Sequence, residues 1–389
     1  MNKNSRKMKR RNTKTPKKRT VNAKIRITKK RGGTITKQAS PSGAAPLNCS
    51  PFVSGKTVNT STCYTPEILI QIKDAYNKSH SPKEYIPWSN PNEIWNTLKS
   101  RLVNCEKEDC WLATLKDSAL STHIKEVIFA PEHPPEWIKN QNEWLTDVDI
   151  LNVMKQYQTT YSQFKFIGPS PIDFDTKVKR DELPWAKKGP SDDNVCVWEE
   201  LCHLSLKKLI AAGKTQLGMI FNLDRYDEPG SHWVSLYLSL GEHSPIVKIG
   251  GNGNMNIAWP KVNDSSGGKK QKPRTHRPTP FIFYFDSTGA SAPKEIKTLI
   301  ERIQLQGKQL SSPINIISYN NNGQDHQKSN TECGMYSLFF IITMLTGKLN
   351  ENGTEKTLDF NGKIKLFRDA IIPDKYVEMY RHKYFNTPK

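Results

Sequence analysis

The stretch HQKSNTECGMYSLFF, residues 326–340, decides how this chain is read. It turns from polar to apolar at Cys333-Gly334, which predicts a helix opening at Cys333, running to about Leu345 and ending at Gly347. A thiol in the first turn of a helix lies at the positive end of the helix dipole, which pulls its pKa below the ordinary value of about 8.5. Gly334 would let substrate and backbone approach closely. The seven cysteines stand at 49, 63, 105, 110, 196, 202 and 333, and Cys333 is the one in this setting. It is the candidate nucleophile.

A cysteine nucleophile needs a base, a group that orients the base, and donors for the oxyanion. His232 opens HWVSLYLSL (232–240), in which Val234, Leu236, Leu238 and Leu240 alternate with Trp233, Ser235, Tyr237 and Ser239, the period of a strand. A ring at a strand edge is rigidly held, so His232 is the candidate base. Asp286 ends a second strand, FIFYFDS (281–287), and would fix the imidazole tautomer if the two strands pair. Gln327, six residues before Cys333, offers a side-chain amide to an oxyanion. Each residue alone is commonplace, since a lone strand histidine is more often a core residue. The ordered set of four carries the argument.

Working outward, QLGMIFNL (216–223) and PINIISY (313–319) also read as strands, while Cys196–Ala212, Ala292–Leu305 and the run after Thr146 read as helices. Thr146 and Asp149 form an S/T-x-x-D/E helix start. The predicted fold class is therefore α+β, a central mixed sheet flanked by helices with the nucleophile at a helix N-terminus. Residues 241–280 carry GGNGNMN and SSGGKKQKPR and read as a long surface insertion; GGNGN lacks the Lys-Ser/Thr of a phosphate loop. Upstream, PEILIQIKDAYNKS (66–79) and 91–103 read as helices, so 61–140 is taken as a mainly helical arm and 141–389 as the catalytic domain.

Residues 1–40 hold 16 Lys or Arg and no acid, so this segment supplies +16 of the formal +20 and the remaining residues only +4. Such a segment cannot bury a core and reads as a disordered basic tail, followed by a Ser/Pro/Gly linker to residue 60. It suits nucleic-acid phosphates as a partner, or nuclear localisation. With a mean hydropathy of −0.67 and no apolar run of membrane length, neither a membrane span nor a secretory leader is expected. The irregular spacing of the cysteines predicts reduced thiols in an intracellular or virion-interior compartment, with no zinc ladder, no metal and no cofactor.

The strings GSHWVSLYL, FYFDS and HQKSNTECGMYSLFF together resemble the ubiquitin-like-protein protease superfamily, which includes SUMO proteases, adenovirus proteases (adenain) and core-protein proteases of large DNA viruses. The order His-Trp, Asp, Gln, five residues, Cys-Gly matches that family, and papain-like enzymes place Cys before His. FNLD and EWLTDVDI match its strand and helix starts further upstream, so the resemblance spans about 140–389. It implies that Trp144 and Trp233, with Gly334, border a narrow tunnel admitting Gly before the scissile bond. The His-to-Asp interval of 54 residues exceeds that of the cellular SUMO proteases, which the 241–280 insertion accounts for. The expected function is an endopeptidase cutting after Gly in viral capsid or core precursors, in a virion or viral factory. The alternatives are a nuclear SUMO or ubiquitin-like-modifier isopeptidase, an acetyltransferase on the same fold, and a nucleic-acid-binding protein with a degenerate protease domain. Gly32-Gly33-Thr34 would itself fit a Gly-Gly site, and the oligomeric state is open.

Overall fold

A computed structural model describes residues 47–187, 189–190, 193–241, 246–249, 255–258, 279–351 and 354–386. The basic tail and its Gly32-Gly33 pair lie outside the described residues, as does most of the insertion expected at 241–280. Of that insertion, β6 (Ile246–Ile249) and β7 (Met255–Ala258) pair as an antiparallel ribbon.

Three helices, α1 (Pro66–Ser79), α2 (Pro91–Arg101) and α3 (Ser118–Ile128), open the described chain. Both α1 and α2 carry Pro in the first turn, where a missing N–H costs nothing. They share an apolar cluster around Leu69, Ile94, Trp111 and Ile128. Residues 47–60, expected as linker, are instead packed: Val53 is fully buried and Ser50 N bonds the Ile128 carbonyl.

Next come α4 (Asp147–Thr160), β1 (Phe164–Pro171), β2 (Lys177–Lys179), β3 (Asn194–Cys196), α5 (Glu199–Cys202), α6 (Leu206–Ala211), β4 (Gln216–Asn222) and β5 (Trp233–Ser239). Beyond the ribbon follow β8 (Phe281–Phe285), α7 (Lys294–Lys308), β9 (Ile317–Asn320), α8 (Cys333–Thr346), the hairpin β10 (Lys348–Glu351) and β11 (Thr354–Thr357), α9 (Phe360–Asp369), α10 (Asp374–Glu378) and α11 (Arg381–Tyr384). The central sheet has the order β1-β4-β5-β8-β9, parallel at its two outer pairs and antiparallel within, so the mixed α+β architecture stands as expected.

Both faces of that sheet are covered. Alternate residues of β5 divide between them: Trp233 and Tyr237 join α4, α8 and α9, while Val234, Leu236 and Leu238 join α6 and α7. In α8 every residue from Cys333 to Met344 is buried, so the helix is apolar all round and lies in the core. Gly347 ends it at φ +70°, a conformation glycine adopts without a Cβ clash.

Two local expectations change. Cys196–Ala212 is not one helix: Cys196 closes β3, and Ser205 caps a separate α6 by accepting from Lys208 N. The strand expected over 313–319 occupies only Ile317–Asn320. An edge strand that the sequence did not predict, β1, carries Gly168, Pro169 and Pro171, which are tolerated at a sheet edge beside the bulge between Ile167 and Ser170.

His326 is almost fully buried against the Phe285 ring. Its Nδ1 accepts from Ile372 N and its Nε2 donates to the Phe367 carbonyl, so the neutral ring is the one the fold holds. Burial pushes its pKa down from 6.5 to about 4, against the pull of the Phe367 carbonyl. A histidine depressed in the folded state contributes stability above its unfolded pKa and loses it as pH falls. His326 should therefore account for about 3 kcal/mol of the stability change between pH 6.5 and 4, read as the difference in urea unfolding between wild type and His326→Gln; equal pH dependence of the two would refute this.

Candidate active site

The antiparallel pairing of β5 with β8 sets Ser235 opposite Phe285 and Leu236 opposite Tyr284. That register brings the residue before β5 beside the residue after β8. His232 Nε2 lies 2.9 Å from Asp286 Oδ1. The expected pair is thus brought together although 54 residues separate its members.

Asp286 is 1% exposed and held on every side. Its Oδ1 also accepts from the Thr288 N–H and Oγ1, both at 2.8 Å. Asn321 bonds its backbone twice, accepting from Asp286 N and donating to the carbonyl. Burial opposes the charge on this carboxyl, but the His232 and Thr288 hydrogen bonds outweigh it and hold the pKa below the usual range.

The His232 ring is acted on by Cys333 as well as by Asp286. Burial disfavours its charged form, yet the Asp286 carboxylate and Cys333 together raise its pKa from 6.5 to about 9. Such a ring is an imidazolium at neutral pH, able to sit against a thiolate. Cys333 opens α8, so the unpaired N–H groups of the first turn favour negative charge on sulfur.

Gln327 is buried on the loop before α8. Its Oε1 accepts from Ser287 Oγ at 2.7 Å and its Nε2 donates to the Ser329 carbonyl at 2.7 Å. These bonds fix the amide plane and use one of its two amide protons. Trp233 is buried with its Nε1 donating to the Leu145 carbonyl at 3.1 Å, while Trp144 is half-buried on the adjoining residue. Gly334 packs against Leu145 and Trp233: a Cβ there would stand 3.0 Å from Leu145 Cβ and 3.3 Å from Trp233 Cδ1.

The sequence did not point to Ser287, Asn321, Glu332 or Arg381. Arg381 forms a buried, two-pronged pair with Glu332, at 2.8 and 3.1 Å, and donates to the Glu143 carbonyl at 2.9 Å. It also lies over the Trp137 ring, 4.5 Å from the centroid. One guanidinium thus ties the residue before Cys333 to the residue before Trp144. An acid directly before the cysteine was the only hint, and nothing in the sequence indicates a partner 49 residues later.

The reduced-thiol expectation is corrected: Cys49–Cys63, Cys105–Cys110 and Cys196–Cys202 are disulfides, and among the described residues Cys333 alone is a free cysteine. Each pair is close in sequence, with separations of 14, 5 and 6 residues, and so closes one local loop. Among the described residues, no helix is long and apolar enough to cross a membrane.

A buried Cys-His-Asp arrangement at a helix N-terminus is suited to thiol-dependent acyl transfer. No family model matches the chain. It is 26% identical over 355 residues to a protein of Acanthamoeba polyphaga mimivirus assigned as a thiol protease, covering 86% of this chain and 96% of that one. It is 24% identical over 256 residues to a cysteine protease of African swine fever virus, covering 64% of this chain and 76% of that one. Among solved structures, the African swine fever virus protease aligns with TM-score 0.49 and 16% identity over 89% of this chain and 97% of that one. The Ulp1 protease domain in complex with Smt3, the yeast orthologue of SUMO, aligns with TM-score 0.30 and 12% identity over 63% of this chain and 79% of that one. The chain is a cysteine-type peptidase, related to these viral thiol proteases.

Arg381→Met should leave Glu332 buried without its partner and cost about 3–5 kcal/mol in urea unfolding. The double change Arg381→Met with Glu332→Gln should recover most of that loss. A single variant as stable as wild type would show that the pair does not hold α8.

Proposed function

We propose that this peptidase cleaves after Gly, at Gly-Gly-X sites, in precursors of viral capsid or core proteins. The observation that carries the reading is the close packing of Gly334, next to the nucleophile, against Leu145 and Trp233, where a Cβ would stand 3.0 and 3.3 Å away. The same walls, on this reading, continue past Gly334 as a passage that suits substrate residues without side chains. On this reading Trp144 and Trp233 border the passage, residues 61–140 form a helical arm, and 141–389 form the catalytic domain. The setting is the infected cell, in a virion or viral factory. The basic segment 1–40 offers a contact to packaged nucleic acid.

In the proposed mechanism His232 holds the proton of Cys333, and the thiolate attacks the carbonyl carbon after Gly. The oxyanion is bound by the free amide proton of Gln327 and the Cys333 backbone N–H. His232 then gives its proton to the leaving amine as the C–N bond breaks, leaving a thioester. Water, deprotonated by His232, attacks the thioester, and the proton returns to sulfur. Asp286 keeps the ring oriented, and Ser287 keeps Gln327 aimed.

The substrate test sets wild type beside Cys333→Ser on a Gly-Gly-X reporter peptide and on a SUMO C-terminal reporter. Cysteine-dependent cleavage of the peptide, lost when either Gly becomes Ala, is expected. Turnover of the folded modifier alone would replace this reading with an isopeptidase, as some African swine fever virus relatives are named SUMO-1 cysteine proteases.

The pH profile tests the roles. With His232 raised to about 9, the proton-bearing pair persists through neutral pH and is lost above that value, so the rate should fall on an alkaline limb near pH 9. Asp286→Asn removes the carboxylate that holds the proton. The limb should move to lower pH and kcat should drop by roughly 10²-fold or more. An unchanged limb would remove Asp286 from the mechanism.

A further inference from the structure

Away from the active site, Cys196, Cys202 and His203 converge. Their three potential ligand atoms lie within 4.8 Å of one another, and Cys196 Sγ is 3.9 Å from His203 Nε2. Cys196 comes from the end of β3, while Cys202 and His203 come from the end of α5. A structural disulfide needs no imidazole beside it. Two sulfurs and a ring nitrogen at this separation are instead what a tetrahedral ion requires, with metal–sulfur bonds of about 2.3 Å and metal–nitrogen bonds of about 2.0 Å.

We propose that Cys196, Cys202 and His203 form a binding site for a borderline-soft divalent ion, Zn²⁺, when the two cysteines are reduced. In the structure the sulfurs are bonded to each other. A thiol reductant supplies two electrons and two protons to open that bond. The two thiols lose their protons as they take up the ion, and neutral His203 contributes its ring nitrogen. The fourth position is met by solvent. The site borders an open cleft of about 600 Å³, so water has access to it. Glu199 also lines this cleft, one helical turn before His203 and on the same face of α5. Thiolate and imidazole ligands select zinc over the harder magnesium and calcium. The spacing C-x5-C-H matches no zinc ladder, because its first ligand is carried by a strand and the others by a separate helix turn.

Such an ion would fasten β3 to α5 and so hold the small unit built on the β2–β3 hairpin. That unit supports the loop leading to His232. Tyr226, in that loop, bonds Asp173 through its N–H and Glu182 through its hydroxyl, both at 3.1 Å. Its side chain packs on Leu183, Val195 and Val197. The expected consequence is a higher Tm with zinc than without it, confined to the reduced protein.

The test uses the full chain carrying Cys333→Ala, which prevents the active-site thiol from binding metal. After reduction by a phosphine and removal of metal, Co²⁺ titration should give the visible bands of a tetrahedral thiolate complex. Zn²⁺ should displace it at one equivalent. Cys202→Ser and His203→Ala should each weaken binding by at least about 100-fold. His203 is exposed, so His203→Ala is expected to keep the wild-type circular dichroism. Cobalt bands that survive in both variants would overturn the proposal. So would alkylation and mass spectrometry showing Cys196 and Cys202 unlabelled after reduction, which would make the pair a permanent disulfide.

Discussion

The burial of α8 is the constraint on which the rest of the structure depends. Its residues from Cys333 to Met344 are all enclosed, with Phe339 and Phe340 packed on Phe367 from α9 and Phe285 from β8. Fully burying a large apolar side chain stabilises by about 1.5–3 kcal/mol, and here several such side chains lock one helix from opposite sides. The helix therefore cannot slide, and the position of its first residue is set by the core. A nucleophile placed there inherits the rigidity of the whole domain. That matters for acyl transfer, because a displacement of about 1 Å between reacting groups can cost 10²-fold in rate.

Rigidity at the start of α8 still has to be bought against electrostatics, since Glu332 puts a carboxylate directly before Cys333 with no exposure at all. A negative charge there would oppose a thiolate and be costly to bury alone. Arg381 answers both problems by neutralising it and by spending a remaining donor on Glu143. Replacing such a pair by apolar residues is often neutral for stability, so geometry is the better explanation for its presence. The guanidinium fork has a fixed shape. It holds the loop before α4 and the loop before α8 at one separation, and the two residues it fixes flank Trp144 and Cys333.

Much of this was legible in the sequence. The Cys333 helix start, the β5 alternation and the Thr146 capping box are local patterns, and each appears where the pattern predicts. The meeting of His232 with Asp286 was legible only on the condition that their strands pair, which the β5–β8 register satisfies. What was not legible depends on long-range packing. Arg381 has no periodicity or motif to mark it. No strand was predicted over β1, whose prolines are harmless only because it lies at the sheet edge. Cys196 was read as helical because the apolar pattern around it continues into α5, although it ends a hairpin strand.

The electrostatics of the site follow from where the dryness lies. Asp286 is nearly inaccessible and is kept ionised by donors from Thr288 and His232, so its charge is little screened by water. His232 has a side chain 19% exposed, the wettest of the three groups. Burial alone would empty that ring of its proton, but the Asp286 carboxylate and Cys333 together reverse the balance. The ring can therefore hold a proton while remaining open to a substrate amine. Cys333 is 2% exposed and so is well shielded from water. A substrate bound against His232 would expel the remaining water from the ring and strengthen every charge interaction around it. The enclosure that shields the thiol would thus also sharpen the chemistry, which makes protection and charge strength two results of one packing arrangement.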